Sequence, residues 1–318
     1  MKNTGNRILV TGGAGFIGSH IVDALLARED VAEVRVLDNL FSGSLSNIQP
    51  YKSNPKFTFI EGDIRDLEAC INASKGIDAV THQAAVGSVP RSLKDPVTTN
   101  AVNVGGTLNV FEAARVNNIK RVVYASSSSV YGDSTEMPKR EENIGKPLSP
   151  YALTKSISEQ YAQVFNRLYE IDFIGLRYFN IFGPRQSPNG PYAAVIPLLI
   201  EAGLKGKAPV FYGDGSQSRD FTYVANAVQA NILALYTDNK NAVNQTYNVA
   251  VGKRYTLIEL YAAIQKAMNV NVAPVIQGER MGDVKHSLAD INKISTLLGY
   301  TPLVLLEEGL DKTISWSK

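Results

Sequence analysis

The sequence predicts an α/β protein built on a doubly wound parallel sheet, with a smaller C-terminal α/β lobe. In the first half, short apolar runs rich in β-branched residues alternate with longer helical patterns, a spacing typical of right-handed βαβ units with helices on both faces of the sheet. After about residue 180 the pattern loosens into short elements between glycine- and proline-rich loops such as FGPRQSPNGPY. The 318 residues are 44% hydrophobic, which is enough for a large core.

Each element follows from its own stretch of sequence. The predicted strands are RILVTG, EVRVLD, FTFIEG, DAVTHQ, RVVYAS and FIGLRY. The predicted helices cover 16–28, 65–74, 95–117 and 149–169. We therefore expect a sheet domain at 1–180, completed by a later segment near 220–250 where TYNVAVG crosses back to the sheet, and a smaller lobe formed mainly by 181–318.

Charge and cysteine content exclude several classes of function. The 32 basic and 30 acidic residues are scattered without long runs, so we expect no nucleic-acid partner. A single cysteine, Cys70, excludes an internal disulfide framework, and with the separated His20, His82 and His286 it argues against a Cys/His zinc site. These counts lead us to expect no metal, and the single cysteine fits a reducing, cytoplasmic setting. We also expect a soluble protein with no membrane partner, because no apolar run is long enough to cross a membrane or to serve as a signal peptide.

A glycine-rich turn joins the first predicted strand to the first predicted helix in ILVTGGAGFIGSH. Gly12, Gly15 and Gly18 lie three residues apart, while Gly13, Gly15 and Gly18 also satisfy G-x-G-x-x-G. Glycines allow a tight turn and close approach of the backbone to a pyrophosphate, whose charge is favoured at a helix N-terminus. The turn therefore predicts a Rossmann-type dinucleotide site.

Acidic residues follow the next two strands. Asp38 ends the second strand, 20 residues beyond Gly18, where a carboxylate accepts hydrogen bonds from ribose hydroxyls and repels a 2′-phosphate. This favours NAD over NADP. Asp63 follows the third strand, where it either reaches the adenine amino group or caps an ordinary turn.

The segment SPYALTK carries a phenol and an ammonium one helical turn apart. Ser149 is a good N-cap and Pro150 a good first helical residue, so Tyr151 and Lys155 share a helix face. A phenol titrates near 10, and using it as a base near neutral pH requires stabilising its anion by about 4 kcal/mol. A neighbouring ammonium and a cationic cofactor supply such stabilisation.

Four consecutive hydroxyls follow the fifth predicted strand, in YASSSSVYG. Ser126–Ser129 therefore lie at the carboxyl end of a parallel strand, where open α/β sheets bind ligands. These hydroxyls either satisfy loop backbone or hold a substrate oxygen beside the tyrosine.

Together, the glycine turn, the acid, the serine loop and Y-x-x-x-K resemble the extended short-chain dehydrogenase/reductase superfamily of nucleotide-sugar enzymes, over essentially the whole chain. The resemblance implies a catalytic Ser127, Tyr151 and Lys155, with Ser128 and Ser129 as close competitors for the hydroxyl role. It implies that 1–180 binds NAD and that 181–318 mainly binds the nucleotide sugar. The implied NAD-binding residues are Gly12, Gly15, Phe16, Ile17, Gly18, Asp38, Asn39, Gly43, Asp63, Ile64, Gln83, Ala84, Ala85, Asn103, Tyr151, Lys155 and Tyr178.

The serine loop also indicates the reaction. Where related dehydratases and decarboxylases carry an acidic residue, this chain has Ser128 and Ser129, which argues against β-elimination. A tyrosine with no further acid suffices for oxidation at C4 and re-reduction on the other face, which is 4-epimerisation with NAD regenerated in each cycle.

Four motifs resemble the epimerases of UDP-N-acetylglucosamine and UDP-N-acetylgalactosamine: GSVPRS, LRYFNIFGPRQSPNGPYAAVIP, GDGSQSRDF and GDVKHS. Small residues in the implied sugar pocket, such as Gly87, Ala194 and Ser287, leave room for an acetamido group, whereas epimerases restricted to plain sugars typically carry a larger residue in the place of Ser287. The implied substrate-binding residues are Gly87, Ser88, Ser127, Ser128, Asn180, Gln186, Ala194, Val195, Tyr212, Arg219, Arg280, Asp283 and Ser287.

Alternatives remain open at this stage. The chain is also compatible with a UDP-glucose or UDP-glucuronate 4-epimerase, with a 4,6-dehydratase or decarboxylase, and with an NAD-binding sensor without turnover. A homodimer is expected because the helices at 95–117 and 149–169 carry more apolar surface than one sheet covers, and related enzymes commonly pair these helices.

Overall fold

The computed structural model describes residues 5–189, 193–278 and 285–318. Its strands are β1 (Asn6–Thr11), β2 (Val31–Asp38), β3 (Phe57–Glu61), β4 (Ala79–His82), β5 (Arg121–Ser127), β6 (Asp172–Tyr178), β7 (Ile181–Phe182), β8 (Val210–Tyr212), β9 (Ser218–Asp220), β10 (Thr222–Tyr223), β11 (Gln245–Val249), β12 (Arg254–Thr256) and β13 (Val275–Gln277). Its helices are α1 (Phe16–Leu26), α2 (Leu67–Ala73), α3 (Val89–Lys94), α4 (Pro96–Asn100), α5 (Thr107–Val116), α6 (Pro150–Tyr169), α7 (Val195–Leu204), α8 (Val224–Tyr236), α9 (Leu257–Met268), α10 (Asn292–Leu298) and α11 (Leu306–Ser317).

The central sheet has seven strands in the order β11-β6-β5-β4-β1-β2-β3, and its pairings are parallel. The predicted doubly wound α/β class is therefore confirmed. The strand order reverses at β1, which has β2 on one side and β4 on the other. The loops that follow β1 and β4 diverge, and a crevice for a ligand opens at the carboxyl ends of these strands.

Buried side chains cover both faces of the sheet. Neighbours in a strand point to opposite faces, so Val10 packs with α1, α8 and α10, while Leu9 packs with α2, α5 and α6. A strand that is buried on both faces reads as a continuous apolar run, as ILV does in β1. A third core joins α7, α9 and α11 with the short strands that follow residue 180.

The start of α6 agrees with its sequence signals. The hydroxyl of Ser149 accepts a hydrogen bond from the backbone N–H of Ala152 at 3.1 Å, and Pro150 occupies the first helical position. This cap fixes where the first turn begins, and therefore where Tyr151 and Lys155 stand relative to the sheet.

The helix predicted at 95–117 is instead divided. A π-helical segment, Ala101–Gly106, joins α4 to α5. Within it, Asn103 is buried and binds the backbone of Val86 on both sides, accepting from N–H at 2.8 Å and donating to C=O at 3.1 Å. This side chain secures the loop after β4 to the helix, a tertiary contact that helical periodicity does not reveal. The short helix α3 was likewise not predicted.

No helix within the described ranges is both long enough and apolar enough to cross a bilayer.

Candidate active site

A cavity of about 350 Å³ lies at the carboxyl ends of the central strands. It collects most of the predicted NAD-binding residues: Gly12, Gly15, Phe16, Ile17, Gly18, Asp38, Asn39, Asp63, Ile64, Gln83, Ala84, Ala85, Tyr151, Lys155 and Tyr178. The predicted substrate residue Gly87 lines the same cavity. The crevice that the topology creates is therefore the place where the glycine turn and the Y-x-x-x-K segment meet.

The glycine turn has no room for a side chain at Gly12 or at Gly18. Gly12 has φ +70°, and a Cβ atom there would lie 2.6 Å from the backbone nitrogen of Ala84. A Cβ atom on Gly18 would lie 2.1 Å from the carbonyl oxygen of Gly12. The turn leaves bare backbone at the start of α1, where N–H groups and the helix dipole favour a pyrophosphate. These residues fit the phosphate part of a dinucleotide.

Asp38 closes the cavity at the end of β2. Its carboxylate accepts hydrogen bonds from the backbone N–H of Ala14 at 2.9 Å and of Leu40 at 2.8 Å. Burial raises the pKa of Asp38, and these two N–H donors oppose the rise. The turn that follows the strand thus orients the carboxylate, whose remaining acceptor sites are available to ribose hydroxyls.

Asp63 is engaged by neighbouring side chains. Arg65 donates to it at 2.7 Å from Nη2 and Asn39 at 2.8 Å from Nδ2. The hydrogen bond from Arg65 is the main cause that lowers the pKa of Asp63 to about 2. The turn-ordering role that the sequence left open for Asp63 is therefore present in the structure, beside its place in the cavity wall.

Tyr151 and Ser127 share a hydrogen bond between their hydroxyls. The Oγ atom of Ser127 also accepts from the backbone N–H of Ser129 at 3.2 Å and from the Ser129 hydroxyl at 3.0 Å. Because a hydroxyl has two lone pairs, these contacts leave Ser127 as a donor toward Tyr151. The hydroxyl of Ser129 donates to Ser127, whereas the hydroxyl of Ser127 faces Tyr151. These two serines therefore have different roles.

The ammonium of Lys155 is almost fully buried, with 4% of the residue exposed. Its Nζ atom donates to the carbonyl oxygen of Ala125 at 2.8 Å. Burial lowers the pKa of Lys155 to about 8, against the opposing charge of Glu159 one turn further along α6. Glu159 is itself paired with Arg177 at 2.8 Å.

The protein's own groups raise the pKa of Tyr151, because burial outweighs the hydrogen bond from Ser127. The sequence had led us to expect that Lys155 lowers this pKa. Burial of the phenol opposes that effect, so the lowering depends on positive charge brought by the cofactor.

Two predicted NAD-binding residues, Asn103 and Gly43, are not among the residues that line the cavity. Asn103 supports the Val86 loop as described, and a Cβ atom on Gly43 would lie 2.8 Å from the backbone of Ala14. Asn103 thus contacts a residue of the cavity wall, and Gly43 packs against the glycine turn.

The remaining predicted substrate residues do not line this cavity. Those within the described ranges are Ser88, Ser127, Ser128, Asn180, Gln186, Ala194, Val195, Tyr212, Arg219 and Ser287. Arg280 and Asp283 lie outside the described residues. Ser88 caps α3, and Ala194 and Val195 begin α7.

Some of the substrate residues gather around β9. The backbone N–H of Ser287 donates to the carbonyl of Ser218 at 3.0 Å. Arg219 donates to the same carbonyl at 3.0 Å, and Asn180 donates to the carbonyl of Asp220 at 3.2 Å. Three segments that are far apart in the sequence thus converge at one strand of the smaller lobe.

Several cavity residues were missed by sequence reasoning: Leu37, Phe41, Ser42, Gly62, Arg65, Val86, Thr98, Val102 and Ala125. Leu37, Gly62, Val86 and Ala125 are direct neighbours of predicted residues, so extending each motif by one position finds them. Phe41, Thr98 and Val102 lie in segments with no motif, and only the fold brings them to the site.

Comparisons with known proteins agree with this geometry. Residues 8–250 match the model of the NAD dependent epimerase/dehydratase family. A structure of UDP-N-acetylglucosamine 4-epimerase from Methanobrevibacter ruminantium M1, in complex with UDP-N-acetylmuramic acid, is 42% identical, with a TM-score of 0.91, and the match covers 99% of this chain and 98% of that one. A UDP-glucuronic acid 4-epimerase structure from Bacillus cereus is 32% identical, with a TM-score of 0.90 and 98% of both chains covered. The UDP-glucose 4-epimerase of Mycolicibacterium smegmatis is 38% identical over 312 residues, 98% of each chain.

The matched residues include the glycine turn, the serine loop and Tyr151 with Lys155, and NAD is the cofactor of this family. The chain therefore belongs to the NAD dependent epimerase/dehydratase family, as the resemblance of its motifs predicted.

Proposed function

We propose that this chain interconverts the C4 epimers of UDP-sugars, with UDP-N-acetylglucosamine and UDP-N-acetylgalactosamine as its main pair and UDP-glucose and UDP-galactose also accepted. Residues 1–180 would hold NAD, and 181–318 mainly the nucleotide sugar. The observation that carries the proposal is that Tyr151 and Lys155 line the same cavity, with the hydroxyl of Ser127 hydrogen-bonded to that of Tyr151.

The distribution of carboxylates favours epimerisation over elimination. Among the described residues that line the cavity, the carboxylates are Asp38 and Asp63, on β2 and after β3. With strands about 4.8 Å apart, β2 lies roughly 14 Å from β5, which carries Ser127. Glu159 is tied to Arg177. Tyr151 is therefore the acid and base at this end, and a dehydratase or decarboxylase needs one more group.

In the proposed mechanism Tyr151 removes the proton of the C4 hydroxyl, and the donor hydroxyl of Ser127 holds the C4 oxygen as it becomes a carbonyl. Lys155 stabilises the tyrosinate by its charge and holds the cofactor ribose. Bound NAD supplies the hydride acceptor and a positive ring that further favours the tyrosinate. The 4-keto sugar turns over while its nucleotide stays anchored in the lobe. The hydride would then return to the other face of C4 as Tyr151 returns the proton to the C4 oxygen.

The proposed preference for acetamido sugars rests on small residues. A Cβ atom on Gly87 would meet no other heavy atom within 4 Å, so the cavity wall is open at this point. Ser287 adds a second small side chain on the lobe, next to Arg219. The Methanobrevibacter relative named for UDP-N-acetylglucosamine supports this choice, whereas the relatives named for UDP-glucose and UDP-glucuronic acid support the rival substrates.

We also propose that the active form is a cytoplasmic homodimer. On α6, Leu153, Val164 and Leu168 are exposed. They form one apolar stripe, because Val164 and Leu168 follow Leu153 by 11 and 15 residues, spacings that return to the same helix face. Val116, at the end of α5, is also exposed. Analytical ultracentrifugation of the purified protein should give twice the 34.6 kDa mass of the chain. A measured mass equal to one chain would refute the homodimer.

The decisive experiment offers UDP-N-acetylglucosamine, UDP-glucose and UDP-glucuronic acid to the purified protein in separate reactions and resolves the C4 epimers by proton NMR. We expect the fastest turnover with the acetamido sugar and no loss of mass from any substrate. Turnover of UDP-glucuronic acid alone would favour that rival, and products lighter by water or carbon dioxide would refute epimerisation.

A further inference from the structure

Four side chains form a closed hydrogen-bonded ring at the base of the cavity. The hydroxyl of Thr81 donates to Oδ1 of Asn231 at 3.0 Å, and Nε2 of Gln83 donates to the same Oδ1 at 3.0 Å and to Oγ1 of Thr81 at 2.9 Å. Nδ2 of Asn231 donates to the hydroxyl of Tyr178 at 2.7 Å, and that hydroxyl donates to Oε1 of Gln83 at 2.9 Å. Gln83 and Tyr178 line the cavity, whereas Thr81 and Asn231 are fully buried.

The direction of every bond in this ring is fixed by one backbone contact. Nδ2 of Asn231 also donates to the carbonyl oxygen of Ala227 at 2.8 Å, one turn back in α8. A carbonyl only accepts, so the amide nitrogen of Asn231 must face Ala227 and its oxygen must face Thr81 and Gln83. Gln83 then presents its nitrogen to Asn231 and its oxygen to Tyr178. All four hydrogen-bonding positions of the Asn231 amide are thereby used.

The ring lies beside the proposed chemistry. Tyr178 pairs with Ser127 in the register of β6 and β5, and Gln83 directly follows β4. Both side chains therefore stand at the same end of the cavity as Tyr151 and Lys155, the end where hydride transfer would occur. Asn231 reaches them from α8, on the sheet face opposite α6.

We propose that Asn231 is a positioning residue for the nicotinamide end of the NAD site. It holds the Gln83 carboxamide and the Tyr178 phenol in one arrangement. These two side chains are then already ordered before the cofactor binds, so binding does not have to immobilise them. The inference rests on the proposed assignment of Gln83 and Tyr178 to the NAD site. It does not depend on which sugar is the substrate.

Asn226 provides a matched control. It lies on the same helix and is equally buried, but its amide binds the backbone of Leu303 and Val304 in the C-terminal segment. Asn226→Leu and Asn231→Leu each remove a satisfied, buried amide of the same shape, so both should lower the melting temperature. Only the change at Asn231 touches groups that line the cavity.

The test is calorimetric titration of NAD into each variant after its cofactor has been removed. Asn231→Leu should weaken NAD binding by about tenfold, the factor for losing roughly one well-placed hydrogen bond, while Asn226→Leu stays within about twofold of the unchanged protein. With NAD saturating, KM for the UDP-sugar should be unchanged in both. Equal weakening in the two variants, or undiminished affinity in Asn231→Leu, would overturn the proposal.

A double-mutant cycle tests whether Asn231 acts through the phenol. Asn231→Ala should reduce the free energy of NAD binding in the unchanged protein and in a Tyr178→Phe background. The reduction in the Tyr178→Phe background should be less than half as large, because the bond between Asn231 and Tyr178 is already lost there. Fully additive losses would refute the coupling, and this smaller variant also serves if Asn231→Leu does not fold. If the NAD results hold but no UDP-sugar is epimerised, the proposed function fails and the role of Asn231 stands.

Discussion

Raising the pH should stop catalysis without unfolding the protein, because the buried ammonium of Lys155 loses its proton far below the usual range of lysine. Burial lowers its pKa from 10.5 to about 8. The alkaline limit of catalysis should therefore lie near this pH. If catalysis needs the ammonium, the rate should fall about tenfold for each pH unit above this limit.

The same titration has the opposite effect on stability. Between about pH 8 and 10.5 the folded protein holds a neutral Lys155 while the unfolded chain holds the proton. Stability rises with pH wherever the unfolded state binds more protons, so the contribution of Lys155 to the free energy of unfolding increases across this window, by about 3 kcal/mol at most. Loss of activity near pH 8 therefore cannot come from unfolding driven by this residue.

The assay follows initial rates of epimerisation from pH 6.5 to 9.5 and measures circular dichroism at each pH. Lys155→Arg provides the control, because a guanidinium stays protonated throughout this range, and its alkaline limit should move upward even though the larger group lowers the absolute rate. Lys155→Met should be slow and independent of pH in the alkaline range. A rate that stays flat to pH 9.5 in the unchanged protein would refute the role given to the Lys155 charge.

Three further substitutions test the other parts of the site. Tyr151→Phe should lower kcat by about 10³-fold with KM and NAD content unchanged, since it removes the proton acceptor alone; intact activity would show that the base has been misassigned. Gly12→Ala should release NAD and cost about 1–3 kcal/mol of stability, because its Cβ would meet Ala84 at 2.6 Å. Gly206→Ala is the control, because Gly206 has a similar positive φ but open surroundings, and this variant should keep NAD. Ser287→Tyr should lower kcat/KM for UDP-N-acetylglucosamine by about 10²-fold and spare UDP-galactose, and equal loss on both sugars would contradict the pocket argument.

The part of the site that could be predicted from sequence is the part built by local rules. The glycine turn, Asp38 and the serine loop all stand where a strand ends, and a parallel sheet brings such positions to one edge whatever the rest of the chain does. That Tyr151 and Lys155 share a helix face could be predicted from the N-cap at Ser149 and from their spacing of one helical turn. Their meeting at one edge thus followed from the parallel sheet, which the alternation of strands and helices already indicated, whereas the strand order came from the structure.

The parts that could not be predicted depend on contacts between distant segments. Nothing in the sequence near 101–106 shows that Asn103 binds the Val86 backbone and that the helix becomes π-helical there. Phe41, in the loop after β2, and Thr98, in α4, line the cavity without any sequence pattern of their own that indicates it. The raised pKa of Tyr151 is also a consequence of burial, which depends on the packing of the whole site.

The residues proposed to carry the chemistry and those proposed to choose the sugar lie in different parts of the fold. Ser127 lies at the end of β5 in the central sheet, and Lys155 lies on α6, which packs against that sheet. A substitution at either position therefore affects the packing of the sheet domain as well as the proposed reaction. Ser287 is instead joined to β9 by a backbone hydrogen bond to Ser218, so its side chain can change while that pairing persists. On the proposed assignment, substitutions in the lobe would change the UDP-sugar that is accepted while the hydride site stays unchanged.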